Sequence, residues 1–263
     1  MVKKFKVNNN IIPLESENNI IYDLEKEKDK DYGPYDKKQM KNLEDKFGIS
    51  SKIIISIRSQ YLKNKALKRH YLVKKNKNQI QKLYLNTNIL DISKTFDLTP
   101  LTIMRNIIQL KYKNKINKLN LSKLSEYDRT QLELAISNDT VVPLDQTKII
   151  EKSIKYEKKI EKILTKHNIK FKTQEDLVEI QTKKFGKPII TPDFLLDESI
   201  MINDQMVYWI EVKNFYGSNI SIFKKKIEKQ TKKYYNKWGP GCLIFRHGFT
   251  DNVNFDNTLI LAF

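Results

Sequence analysis

The stretch Lys187–Gly217, KPIITPDFLLDESIMINDQMVYWIEVKNFYG, decides how this chain is read. Asp193 follows Thr191-Pro192, and eighteen residues later comes Glu211-Val212-Lys213. Each acid borders a short apolar run, Phe194-Leu195-Leu196 after the first and Val207-Tyr208-Trp209-Ile210 before the second. Strands alternate faces with a period of two, so Glu211 and Lys213 share one face and Val212 takes the other. If the two runs pair as a hairpin through Asn203-Asp204, Asp193 and Glu211 can lie side by side. Aspartate is depleted in strands, and an acid ending an apolar strand needs a partner or a metal if it is buried. Two carboxylates and an ammonium suit a hard cation and an attacking water. The competing reading is a pair of solvated strand ends.

Working outward, residues 214–217 form a loop before a helix predicted from about Asn219 to Trp238. Phe223, Ile227, Gln230 and Tyr234 follow 4-3-4 spacing on one face. Gln230 in that apolar stripe points toward the acid-bearing strands, to hold a phosphate or a water, or else it lies half exposed. Gly239-Pro240-Gly241 ends the helix, Cys242–Phe245 reads as a buried strand, and Thr258–Phe263 as the last one.

Upstream, a helix from about Gln146 to His167 carries the stripe Ile149, Ile150, Ile154, Ile160, Ile163 and Leu164. Glu157 either faces inward with that stripe as a third acid or pairs on the surface with Glu161 and nearby lysines. A short strand at Ile169–Phe171 and a short helix at Thr173–Ile180, which contains Glu175, complete the region 146–263. The order is helix, strand, short helix, strand, strand, helix, strand, strand, an α/β layout with a mixed sheet flanked by helices.

The net charge of +18 is concentrated. Between Lys46 and Lys123 there are 18 Lys/Arg against two acids, Asp91 and Asp97, a footprint expected of a nucleic-acid-binding module or of a solvated basic face. Residues 36–125 read as helical. A helix over 36–48 stops at Gly48, and Ser50 or Ser51 caps the next. A second such unit is clearer: a helix over 89–96, the turn Asp97-Leu98-Thr99-Pro100, then a helix with Thr99 as N-cap and Pro100 at its first position. Thr102, Arg105, Asn106 and Gln109 are expected outward, where the second helix of a helix-turn-helix reads base edges. Lys111, Lys113, Lys115 and Lys118 would meet phosphates. The alternative is an ordinary helical hairpin. Residues 1–35 read as a flexible leader, poorly ordered or loosely docked, and 126–145 as a connector.

One cysteine, Cys242, excludes an internal disulfide and a cysteine-rich zinc site, and the three histidines have no ligand spacing. No apolar run approaches the ~20 residues of a membrane span, and the start lacks a secretory h-region. A nuclear or cytoplasmic location without membrane contact is expected.

TPDFLL at 191–196, WIEVK at 209–213 with Phe215 and Gly217, and GPG-LIF--GF across 239–249 resemble the TPD-motif family that includes the codanin-interacting nucleases. That family falls within the PD-(D/E)XK superfamily, beside Holliday-junction resolvases. The likeness extends from about residue 40 to 260. It implies an α/β restriction-endonuclease-like domain at the C-terminus, preceded by an all-α helix-turn-helix-type region. It implies Asp193 and Glu211 as ligands of Mg²⁺ or Mn²⁺, with the Val212 carbonyl, and Lys213 as catalytic lysine. Glu157 would be the helix acid, with Glu161 and Glu175 as rivals, and Gln230 the helix glutamine. Val212 and Asn214 depart from the family's small polar residues. The implied activity is metal-dependent hydrolysis of DNA, branched or structured, with RNA also open, and the implied protein partner is codanin-like. The competing class is a non-catalytic nucleic-acid-binding or scaffold-binding protein. A dimeric resolvase is a third, although no dimer seam stands out.

Overall fold

The computed structural model describes residues 2–26, 32–116 and 120–262. In chain order the elements are β1 (Lys4–Phe5), β2 (Ile11–Ile12), α1 (Leu14–Lys26), α2 (Lys37–Phe47), α3 (Ser51–Arg69), α4 (Tyr71–Lys75), α5 (Lys77–Tyr84), α6 (Ile89–Phe96), α7 (Pro100–Tyr112), α8 (Glu126–Ser137), α9 (Thr147–Lys166), β3 (Phe171–Thr173), α10 (Gln174–Phe185), β4 (Phe194–Ile202), β5 (Gln205–Lys213), α11 (Ser221–Trp238), β6 (Gly241–Phe245), β7 (Phe249–Thr250) and β8 (Thr258–Leu261). They make two compact units, Ile20–Gln146 and Met1–Asn19 with Thr147–Phe263.

The first unit is helical, and its helix ends follow the local chemistry. Asp36 caps α2 by accepting from Lys38 N–H, and Gly48 ends it at φ +63°. Asn88 caps α6, and Asp97 ends it in the left-handed region at φ +49°. Thr99 caps α7 with Pro100 in the first turn, where a missing N–H costs nothing. Ile89, Ile92, Leu98, Leu101, Met104, Ile107 and Ile108 bury against Ile80, Tyr84, Leu132 and Ala135 in one core. The region expected as a connector therefore holds α8. Its Ser125 cap and its buried Leu132 and Ala135 supply a start and an inner face.

Asp128 of α8 is fully buried. It accepts from Tyr84 Oη at 2.9 Å, Tyr112 Oη at 2.5 Å, Ser125 Oγ at 2.8 Å and Lys111 Nζ at 2.6 Å. Burial raises its pKa, but the bonds from Lys111, Tyr112, Ser125 and Tyr84 outweigh that and hold it below the ordinary value.

The second unit is built on a mixed sheet in the order β1-β4-β5-β6-β8, with β3 on the same edge of β4 as β1 but at its other end. β4 and β5 are antiparallel, whereas β6 is parallel to both β5 and β8. Tyr156, Ile160 and Leu164 of α9 pack on the face carrying Ile210, Val212 and Ile244. Ile227 of α11 packs on the face carrying Leu243 and Phe245. The period of two thus gives Glu211 and Lys213 to the α11 side. The first turns of α9 do not bury the expected stripe: Ile149, Ile150 and Ile154 are exposed, because the sheet meets the helix only from Tyr156 onward.

Residues 2–19 are not the flexible leader expected. β1 lies parallel to β4, and β2 parallel to β7. Val7 N–H donates to Asn203 Oδ1, and Asn203 Nδ2 donates back to the Val7 carbonyl, both at 2.9 Å. Strands of two residues leave no periodicity to read. Helix α10 also runs beyond the expected Ile180, to Phe185, where Gly186 ends it at φ +74°.

Removing one partner of a buried, fully bonded charge costs about 3–5 kcal/mol, so Asp128→Ala is expected to lose that much in urea unfolding at pH 7. With the folded-state pKa lowered, this contribution is complete above the unfolded value near 4 and fades as pH falls further. The gap between wild type and variant should therefore close in acid unfolding series.

Candidate active site

The β4–β5 turn, Asn203-Asp204, has φ of +47° and +62°, the mirror-image turn that matches strand twist. From it the pairing runs Ile202↔Gln205 to Ile200↔Val207. A register shift intervenes before Leu195↔Trp209 and Phe194↔Ile210. Continued unshifted, the hairpin would set Asp193 across from Asn214; the shift brings it to Glu211. Asp197 sits in the shifted segment, and its N–H donates to the Lys170 carbonyl at 3.0 Å while its carboxylate pairs with Lys172.

The resulting site is dense. Asp193 Oδ2 accepts from Val212 N–H at 2.6 Å. Lys213 Nζ donates to Glu211 Oε1 at 2.5 Å and to Gln230 Oε1 at 3.1 Å. Gln230 Nε2 donates to the same Glu211 oxygen at 2.8 Å, so the glutamine bridges acid and lysine. Tyr234, one turn along α11, approaches Glu211 Oε2 at 3.1 Å, Gln230 Nε2 at 2.8 Å and the Thr191 carbonyl at 3.2 Å. Glu211 is 4% exposed.

Glu157 stands back. It rides on α9, which packs the opposite face, so it reaches the site's field only past the strand ends. It is half-buried and has no hydrogen bond or ion pair among the described residues. Burial, then the charges of Glu211 and Glu175, raise its pKa against the pull of Lys213. Of its rivals, Glu175 is an electrostatic neighbour and Glu161 is not among the groups acting on it. Among the described residues no three Asp, Glu, His or Cys side chains gather as a metal-holding group.

Asp193 is pushed up to about 8 by burial and then by the Glu211 charge; the Val212 N–H and Lys213 pull the other way, and Glu157 adds a little. Two acids that cannot comfortably ionise together are a place for a cation. The donors are hard oxygens, which suits Mg²⁺ or Mn²⁺, and Mg²⁺ needs only one or two protein carboxylates because it keeps several waters.

Tyr234 is the residue that sequence reading left in the core. Its i+4 spacing from Gln230 was visible, but a tyrosine in an apolar stripe reads as packing. Burial and the Glu211 charge push its hydroxyl far above the phenol range. Its ring meets Trp209 edge-on, 5.1 Å between centroids. Trp209 is fully buried and donates from Nε1 to the Gly239 carbonyl at 2.9 Å. A Cβ on Gly241 would fall 2.1 Å from the indole. Gly-Pro-Gly and Trp-Ile-Glu-Val-Lys are thus two sides of one contact.

The helical candidates are divided. Arg105 Nη2 donates to the Val142 carbonyl at 2.9 Å, and Lys111, itself exposed, is bound to Asp128, so both serve the fold. Asn106 is half-buried with Oδ1 unpartnered. Gln109, Lys113 and Lys115 are exposed; Lys118 lies outside the described residues.

The sequence model of the TPD sequence-motif family, proteins of unknown function, matches residues 124–262. This chain belongs to that family. The TPD match spans the whole site. Among its relatives, uncharacterized protein L539 of Acanthamoeba polyphaga mimivirus is 31% identical over 117 residues, 43% of this chain and 41% of that protein. CDAN1-interacting nuclease 1 of Xenopus laevis is 30% identical over 91 residues, 35% of this chain and 28% of the relative. The Homo sapiens protein of the same name is 28% identical over 92 residues, 35% and 30%. The chain thus aligns with less than half the length of these relatives. No solved structure matches.

Gly241→Ala is expected to destabilise by about 3 kcal/mol, since a fixed strand backbone cannot yield to the indole. Combining it with Trp209→Leu should recover part of that loss, a coupling readable in a double-mutant cycle of urea midpoints. Strict additivity would refute the contact.

Proposed function

We propose that this protein is a divalent-metal-dependent nuclease that hydrolyses phosphodiester bonds of DNA, branched or structured DNA included. One observation carries the reading: Asp193, Glu211, Lys213 and Gln230 converge on one point, with Glu157 in its field. The relatives named nucleases support it. So does the order of α9, the β4–β5 hairpin, α11 and β6, which fits a restriction-endonuclease-like domain.

Asp193 and Glu211, with the Val212 carbonyl, would hold Mg²⁺ or Mn²⁺. A bound cation polarises the scissile phosphate and lowers the pKa of a water. Lys213 orients that water for in-line attack and offsets the charge on the phosphate. Gln230 fixes Lys213 against Glu211, and Tyr234 fixes the other Glu211 oxygen. The helical unit, with its helix-turn-helix-like α6–α7 pair, holds the nucleic-acid backbone, and the name of the relatives suggests a codanin-like partner. The location that goes with this activity is the nucleus or the cytoplasm; no helix among the described residues is long and apolar enough to cross a membrane.

A second reading, a nucleic-acid-binding or scaffold-binding protein without turnover, is favoured by the third acid standing back. Cleavage of a plasmid and a four-way junction with Mg²⁺, Mn²⁺ or EDTA separates the two. Metal-dependent cutting is expected, with losses of about hundredfold or more in Asp193→Ala and Lys213→Ala. Cutting unaffected by the double variant would remove the site, and no cutting by wild type would leave the second reading. Tyr234→Phe should weaken Mn²⁺ binding in calorimetry by about 10–100-fold, as losses behind a metal ligand do, while costing only about 1 kcal/mol of stability.

A further inference from the structure

Helix α11 delivers Gln230 to the site and is itself strongly basic. Its eighteen residues, SIFKKKIEKQTKKYYNKW, carry seven lysines and one glutamate. Lys226, Lys229 and Lys233, with Lys225, Lys232 and Lys237, are exposed. None of the seven has an ion-pair partner among the described residues. Like charges four apart, Lys225 with Lys229 and Lys229 with Lys233, oppose the helix by about 0.2–0.5 kcal/mol a pair. A helix that accumulates unpaired cations next to an anionic site is set up for a polyanion.

The lysines are not spread evenly about the axis. At 100° per residue, Lys226, Lys233 and Lys237 fall within about 60° of Gln230, on its solvent side. The buried Ile227, Thr231 and Tyr234 lie on its other side. Lys224, Lys225 and Lys232 are turned well away. The near row spans about 16 Å, the rise of about five nucleotides of one strand in a duplex. Lys237 also lies over the Trp238 ring, 5.2 Å from its centroid, a stem held in place.

We propose that Lys226, Lys233 and Lys237 form a track on α11 that grips the phosphates of a nucleic-acid strand and lays it across Gln230 into the site. This rests on the reading of the site as phosphodiester-binding, yet it is measured by binding alone. A row of ammonium groups recognises backbone and not sequence, so DNA and RNA share the chemistry.

The test uses the full chain in EDTA with fluorescein-labelled 20-mers of single-stranded DNA, duplex DNA and RNA. Affinity is followed against salt for wild type, Lys226→Gln/Lys233→Gln/Lys237→Gln, and the equal-charge control Lys224→Gln/Lys225→Gln/Lys232→Gln. The track variant should lose about tenfold or more and lower the salt slope by about two to three; the control should keep most of both. Preference among the three probes identifies the strand. Lysine acetylation read by mass spectrometry should show Lys226 and Lys233 protected by the oligonucleotide, with Lys225 and Lys232 open. Equal losses in both variants, or no protection of the track, overturns the proposal. Protection of the same lysines by polyglutamate but not by oligonucleotide also overturns it, in favour of an acidic protein partner. If the track variant loses binding while no metal supports cleavage by wild type, the track stands and the hydrolase reading falls.

Discussion

The hydrogen bond from Val212 N–H to Asp193 Oδ2, 2.6 Å long, is where the architecture becomes a site. It exists because the β4–β5 hairpin changes register on its way from the turn. A strand displaced along its partner carries every side chain with it. Here that displacement moves one aspartate from beside a loop asparagine to beside a buried glutamate. The edge of β4 is where the shift is held, by Asp197 bonding back to Lys170 and Lys172.

A buried glutamate then needs support. Its two oxygens take Lys213, Gln230 and Tyr234, and those side chains come from β5 itself and from one face of α11. Behind them Trp209 locks the tyrosine ring, and Gly241 leaves room for the indole. The support is therefore continuous from a glycine turn to a carboxylate, through contacts that tolerate little change of volume. Asp193 has no such shell, and its raised pKa expresses its burial first and the neighbouring Glu211 charge second.

The basic residues divide by the same accounting. In the helical unit several are consumed internally: Arg58 on the Gly33 carbonyl, Lys65 and Arg69 on Asp97, Arg105 on Val142, Lys111 on Asp128. The free charge there is smaller than the composition suggests. Helix α11 keeps its lysines unpaired. A count of charge along the sequence points to the former region, whereas pairing in three dimensions points to the latter.

Much of this was legible beforehand. Thr99-Pro100, Gly48 and Asn203-Asp204 announced their cap, stop and turn because those conformations depend on neighbouring residues alone. The alternation around Glu211, the 4-3-4 stripe through Gln230 and the α/β order followed from periodicity. What sequence could not show is what depends on displacement and on distant partners. The strands of two residues in the N-terminal segment carry no period, and α8 was hidden behind a single proline. The pairing of Arg105 and Lys111 depends on groups far along the chain, Val142 and Asp128. The sequence by itself determined which residues are chemically capable and which of them share a face, since side-chain periodicity is a property of the local backbone. Only the tertiary structure decided that Asp193 meets Glu211, that Tyr234 joins them and that Glu157 stays apart, because register and the choice of sheet face are settled by packing across elements.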